Sequence, residues 1–128
     1  MKKAISIVLV AVVLAVVVGS FAACNLFKSI TVEEAKSNLE AAGYTVTVMT
    51  GADYAKSEDN TYGIIESQLE TYLYAVKGED AIKIFFFDTV DHAENNGNFI
   101  IDNKLTYSGQ SNKVYYVATK QARKDAGL

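Results

Sequence analysis

The first hydrophobic feature of the chain is a continuous apolar run near its start. Residues 4–18 are apolar but for one serine, and two lysines precede them. Small residues follow at 19–23, where Phe21 is the one large side chain. A short basic region, an apolar core of about 15 residues and small residues at its end are typical of a secretory signal peptide. We therefore predict that residues 1–23 direct export of the chain.

Residues 31–42 have the pattern of an amphipathic helix. Thr31 and Glu34 have the spacing of a capping box, in which the Thr hydroxyl accepts a hydrogen bond from the Glu34 amide. Apolar residues recur on one face at helical spacing: Val32, Ala35, Leu39 and Ala42. Gly43 then supplies the left-handed residue that commonly ends a helix.

Alternating patterns rich in β-branched and aromatic residues predict four strands. They cover residues 44–50, 69–77, 81–88 and 113–119. The second and third are joined by Gly78-Glu79-Asp80, which has the length and composition of a hairpin turn. The third strand has apolar side chains on both faces, which indicates a central position in the sheet. Ile82, Ile84 and Phe86 lie on one face, and Phe85 and Phe87 on the other.

Helical spacing returns from Thr89 to about Leu105, although a polar run at 95–98 interrupts it. Five apolar residues are predicted to face inward: Val90, Ala93, Ile100, Ile101 and Leu105. Residues 51–60 and 108–112 have the composition of turns, and 120–126 predict a short last helix.

The element order is therefore α-β-β-β-α-β, with the short helix at the C-terminus. We predict an α+β fold, a two-layer sandwich in which an antiparallel sheet of about four strands carries two helices on one face. The other sheet face is expected to be open.

Charge narrows the range of partners. The full chain has a net charge of −3, but after Cys24 there are 10 basic and 15 acidic side chains. An acidic domain gains nothing from neutralising phosphates, so nucleic acid is not an expected partner. Attachment to a membrane then has to come from the N-terminus.

The end of the signal-like segment, Phe21-Ala22-Ala23-Cys24, resembles the lipobox of bacterial lipoproteins. The resemblance covers residues 1–24, and Phe21 stands where that family usually has Leu. It implies that the Cys24 thiol receives a diacylglyceryl group and that the peptide is cut just before this residue. Cys24 is also the sole cysteine of the chain. The protein is then expected to be anchored by lipid on the extracytoplasmic face of the cell membrane.

On this interpretation the chain has three parts: a signal peptide at 1–23, a lipidated tether at 24–30 and a small domain at 31–128. Two alternatives stay open for the N-terminus. Residues 4–23 would form a helix of about 30 Å, which just spans a bilayer. Ordinary secretion, with cleavage after the small residues, is the other alternative.

The one cluster of potential acid–base or metal-binding residues lies at the predicted start of the second helix: Asp88, Asp91, His92 and Glu94. On a helix, Asp88 and Asp91 share a face, as do Asp91 and Glu94. The simpler interpretation is a helix start, since Asp88 or Thr89 is a natural N-cap and acidic residues favour the first turn. His92 is the sole histidine, so a zinc site has no second imidazole. We therefore predict no metal, no cofactor and no catalytic residue.

Tyrosine is abundant, with eight residues in the chain. Two predicted strands carry pairs of them, Tyr72 with Tyr74 and Tyr115 with Tyr116. Tyrosine is favoured at binding surfaces because it offers large contact area with a polar tip. It is also a good strand former that tolerates half-burial, so a purely structural role is the alternative.

These observations lead to three functional hypotheses. The leading one is a non-enzymatic lipoprotein that binds a protein, peptide or envelope component through the open sheet face and its tyrosines. The second is an accessory or structural subunit of an envelope complex, which an exposed apolar patch or edge strand would favour. The third is a small metal-dependent enzyme that uses Asp88, Asp91, His92 and Glu94.

Overall fold

The first helix forms where the sequence predicts it. The computed structural model describes residues 30–128, and in it α1 covers Val32–Ala41. The Thr31 hydroxyl accepts a hydrogen bond from the Glu34 amide at 3.1 Å and donates one to the Glu34 carboxylate. Gly43 follows the helix with a φ of 94°, so its left-handed conformation is confirmed. The signal peptide, Cys24 and most of the proposed tether lie outside the described residues.

Five antiparallel strands build the sheet. They are β1 Thr45–Thr50, β2 Leu69–Lys77, β3 Asp80–Phe87, β4 Tyr107–Ser111 and β5 Val114–Ala118. Their order across the sheet is β1-β2-β3-β5-β4, and every neighbouring pair is antiparallel. The α+β class and the central position of β3 are confirmed, with five strands in place of four.

The additional strand is β4, and the prediction of a turn at 108–112 is wrong. Asn112 and Lys113 alone make the turn to β5, and Asn112 takes a positive φ of 57°. β4 has little apolar alternation because it is an edge strand whose side chains are mostly exposed. Backbone pairing with β5 holds it in the sheet instead.

Three more helices complete the domain: α2 Gly51–Lys56, α3 Val90–Gly97 and α4 Lys120–Ala126. The sequence predicts α4, but it predicts a turn region where α2 lies. α2 is capped by Thr50, whose hydroxyl accepts a hydrogen bond from the Asp53 amide. α3 is much shorter than predicted and ends at Gly97, where a Cβ atom would lie 2.6 Å from the Tyr115 ring. Residues 98–106 are therefore a loop rather than helix.

Helices pack on both faces of the sheet, rather than on one as predicted. On the first face, which we call face A, α1 and α4 cover Leu73, Ile82 and Ile84. On the opposite face B, α2, α3 and the loops around Ile64 and Ile100 cover a second cluster. It consists mainly of Tyr54, Tyr72, Phe85, Phe87 and Val117. The reason is that β2, β3 and β5 carry large apolar side chains on both faces. One helical layer can bury the apolar surface of only one face, so a second layer is needed.

None of the helices within residues 30–128 has the length and apolar composition needed to cross a membrane.

Candidate interaction surface

Two large apolar side chains stand out from the surface of the loop that follows α3. Phe99 and Ile101 are each 72% exposed, more than any other large hydrophobic side chain in the described residues. Ile100 lies between them and is 2% exposed, within the face B core. The backbone therefore directs alternate side chains inward and outward at this point. We call Phe99 and Ile101 the apolar pair.

The loop that carries the apolar pair is held in place at several points. The backbone amides of Phe99 and Ile100 donate hydrogen bonds to carbonyls at the end of α3, those of Asn96 and Gly97. Leu105 packs into the face B core at the other end of the loop. Because these contacts fix the loop, the apolar pair is displayed without the entropy cost of ordering a mobile segment.

An ion pair between Lys83 on β3 and Asp102 fixes the middle of the same loop. The Lys83 Nζ lies 3.2 Å from Asp102 Oδ2, and the Lys104 amide donates to Asp102 Oδ1 at 2.9 Å. The Lys83 ammonium also lies 5.5 Å from the centre of the Tyr62 ring. Lys83 thus joins the loop of the apolar pair to the loop before β2, which carries the exposed Ile65.

Both partners of this ion pair stay charged at neutral pH. Burial alone would lower the pKa of Lys83, but the hydrogen bond and charge of Asp102, with Tyr62, raise it above its ordinary value. For Asp102, burial raises the pKa, and the Lys104 amide and Lys83 outweigh this effect and lower it. The two shifts agree, since each favours the charged form of its group.

The four tyrosines proposed from the sequence do not form one exposed surface. Tyr72 is 2% exposed and stacks on Tyr54 with ring centroids 4.2 Å apart. Tyr74 and Tyr115 are half-buried on the same face B, whereas Tyr116 is buried on face A. Burial raises the pKa of Tyr72 far above its ordinary value. These side chains contribute to the two cores.

The acidic cluster at the start of α3 has a structural role in the helix start. Thr89 is the N-cap residue, and its hydroxyl accepts from the His92 amide at 3.1 Å. His92 Nδ1 shares a hydrogen bond with Asp88 Oδ1, and this contact lowers the pKa of Asp88. Asp91 and Glu94 are exposed. Among residues 30–128, no three His, Cys, Asp or Glu side chains form a group that could hold a metal ion.

The outer edge of β1 is a second candidate surface. β1 is a six-residue strand at the end of the sheet, and it contains no charged residue. No other strand in the described part of the chain pairs with this edge. Its backbone donors and acceptors on that side are therefore available to an additional strand.

Sequence reasoning missed the apolar pair. Ile101 is predicted to face inward on a long helix, and this prediction is wrong because α3 ends four residues earlier. The interruption at Asn95-Asn96-Gly97-Asn98 is the signal for that end, since polar and glycine residues there disfavour a helix. Once the helix stops, the apolar residues beyond it no longer share a common inward face.

Comparison with known proteins gave no match: no protein-family model, no curated protein and no solved structure is significantly similar to this chain.

Proposed function

We propose that this chain is a non-enzymatic lipoprotein that acts as an accessory subunit on the outer side of a bacterial membrane. It is anchored through Cys24 and docks on another envelope protein through the apolar pair. The anchor is inferred from the sequence of residues 1–24. Docking is inferred from the exposure of Phe99 and Ile101 on a loop that is otherwise well fixed.

The observation that carries the docking proposal is the contrast within three consecutive residues. Ile100 is buried, while Phe99 and Ile101 on either side of it are largely exposed. Protein interfaces draw most of their affinity from a few apolar and aromatic side chains, and these act best when they are already ordered. Exposed apolar side chains that are displayed together mark such a surface.

Because both faces of the sheet are covered, binding through an open sheet face is not supported. A module that binds through an open sheet face needs an uncovered face, and in this domain both faces carry helices and loops. An exposed apolar pair and an uncharged edge strand remain, and these are the features expected of an accessory subunit. The second hypothesis from the sequence is therefore the one that the geometry supports best.

The anchor is tested by intact-mass analysis of the N-terminal peptide from native membranes. The proposal expects a peptide that begins at Cys24 and carries the mass of acyl chains. A Cys24→Ser variant is expected to carry no acyl chains and to keep its apolar N-terminal segment, because the cut before residue 24 follows lipidation of the thiol. A native chain with an intact Met1, or with an unmodified thiol in a soluble fraction, would contradict the anchor.

Docking is tested by purifying the anchored protein from membranes in mild detergent. A double variant, Phe99→Ala with Ile101→Ala, is expected to lose a partner that the parent protein retains. Val90→Ala is the matched control, since Val90 is an exposed apolar residue outside this loop. Equal retention by the double variant and the parent would contradict docking through the apolar pair.

A further inference from the structure

The edge strand β1 lacks the features that normally protect a sheet edge. Proteins blunt such edges with charged residues, prolines, bulges or very short strands. β1 has six residues, all Thr, Val or Met, and its register with β2 runs without a shift from Thr45 to Thr50. By contrast, the pairing of β2 with β3 contains a register shift at Leu69/Thr71.

The helical layers reach only part of β1: Val46 packs against the face A core and Met49 against the face B core, but the centre of the strand is open. Thr47, on the face B side, is exposed, and so is Val48 on the face A side, at 42%. An incoming strand would therefore meet side chains that are open to solvent on both faces. At the other end of the sheet, β4 is shorter, and the Gln110 amide there bonds to the Val90 and Asn112 carbonyls.

We propose that two copies of this chain pair through β1, antiparallel, and form one continuous sheet of ten strands. The strand is self-complementary, because an uncharged run of Thr and Val faces the same run and no like charges oppose each other. Two identical edges also form a closed pair, whereas pairing of β1 with β4 would continue from copy to copy without closing.

The symmetry of this pairing fits a chain that is anchored at its N-terminus, and this step rests on the proposed function. Two identical antiparallel neighbours are related by a two-fold axis normal to the sheet, which keeps face A of both copies on the same side. Ile30 and α1 pack on face A, so both tethers leave from the same layer. Six peptide units separate Ile30 from Cys24, a reach of about 20 Å, so one membrane can hold both anchors.

Anchoring in one membrane also supplies the concentration that a small interface needs. Pairing six residues buries less surface than a stable soluble dimer requires. Confinement to one membrane surface raises the effective concentration of the second copy, as tethering does in general. Pairing is therefore expected on the membrane.

The experiment uses the full chain in native membranes and a short thiol-specific cross-linker. Separate Thr47→Cys and Val48→Cys variants place a thiol at the centre of β1, so they cover both registers that a two-fold axis allows there. Directly opposed residues in an antiparallel pair have Cα atoms about 4.5–5.5 Å apart, within reach of such a reagent. A covalent homodimer is expected from one or both variants.

Two controls isolate the role of β1. Ser108→Cys places an exposed thiol on the other edge strand and is expected to give no homodimer. Val48→Lys in the Thr47→Cys background places a positive charge on each of the two paired strands. The homodimer is then expected to disappear, and the melting temperature is expected to stay at the parental value. Loss of folding in this variant is recognised by circular dichroism, and Thr45→Lys then serves in its place.

The outcomes separate the two proposals. No homodimer from either β1 variant, equal cross-linking from Ser108→Cys, or an adduct with a different protein overturns self-pairing. A homodimer linked through Thr47→Cys in a chain whose Cys24 carries no lipid would contradict the anchor and support the pairing. Peptide mapping by mass spectrometry identifies which thiol is linked, so a free Cys24 is not mistaken for β1.

Discussion

At the residue scale, the ion pair between Lys83 and Asp102 helps to hold the loop that carries the proposed docking surface. Lys83 projects from the central strand β3 onto face B, and its ammonium contacts Tyr62 and Asp102 on two different loops. Half-buried ion pairs of this kind are costly to break from one side, because the remaining charge loses its partner while still shielded from water. The display of Phe99 and Ile101 therefore depends on a contact that neither of them makes.

The pH dependence of stability tests this contact. The pKa of Asp102 is lower in the folded protein than its ordinary value of 3.8. Its charged form therefore stabilises the fold above about pH 3.8, and this contribution is lost as the pH falls through the folded-state pKa. Asp102→Asn is expected to lower the free energy of unfolding by about 1–2 kcal/mol at neutral pH.

The difference between parent and Asp102→Asn should shrink toward zero below the ordinary carboxyl pKa. Urea unfolding at a series of pH values, from about pH 2 to about pH 7, measures this difference. Glu70→Gln, which neutralises an exposed carboxylate near the start of β2, is the control and is expected to change stability little. A pH-independent difference for Asp102→Asn would contradict the account.

At the same scale, substitutions of neighbouring residues in this loop are expected to change the free energy of unfolding by very different amounts. Ile100→Ala is expected to cost about 2–5 kcal/mol, because it leaves a cavity in the face B core. Phe99→Ala is expected to change the free energy of unfolding by no more than about 0.5 kcal/mol, since its side chain is largely exposed. Denaturant unfolding of both variants measures the contrast, and similar costs would mean that the loop is arranged differently.

At the element scale, the start of α2 depends on a close approach of two backbones. A Cβ atom on Gly51 would lie 1.6 Å from the Leu69 carbonyl oxygen, at the start of β2. Only glycine allows the chain to turn directly from β1 into α2 at this point. α2 in turn places Tyr54 in the aromatic core of face B.

Gly51→Ala is therefore expected to be severely destabilising, by roughly 3 kcal/mol or more, because the backbone of β2 must move. Gly78→Ala is the matched control: it has open space around it, but a φ of 60°, so it is expected to cost only about 1–2 kcal/mol of backbone strain. Thermal or urea unfolding ranks the two variants. Equal costs would contradict the close contact between Gly51 and β2.

Elements with local signals are the ones that the sequence predicts. α1 has its cap at Thr31 and its stop at Gly43, and the β2–β3 hairpin has its turn at 78–80. α2 and β4 have weak local signals in the sequence. The position of α2 depends on the contact of Gly51 with Leu69, and β4 is held by pairing with β5. The end of α3 has a local signal in the polar run at 95–98, but the close approach of the Tyr115 ring to Gly97 involves a residue distant in sequence.

For the candidate surface too, local features could be predicted from the sequence, whereas features that depend on distant contacts could not. The tyrosines could be located in strands from their alternation, but their burial depends on helices that cover both faces. The apolar pair could not be identified, because Ile101 looks like a core residue until the helix is known to end before it. Exposure is a property of the assembled domain, so sequence periodicity misassigned Ile101, and also Val90, which is predicted to face inward but is 43% exposed.

At the scale of the whole molecule, the two proposals use two different parts of the domain formed by residues 30–128. The apolar pair lies on the loop after α3, and the uncharged edge of β1 lies at one end of the sheet. They belong to different elements of the domain. The proposed self-pairing and the proposed docking therefore do not compete for the same residues.

The most direct measurement is site-specific photo-cross-linking of the full-length chain in native membranes. A photoreactive residue in place of Phe99 is expected to give an adduct of one defined mass with another envelope protein, and the same residue in place of Val90 is expected to give none. Identical adduct patterns from the two positions, or no adduct from position 99 in membranes that hold the anchored chain, would contradict docking through the apolar pair.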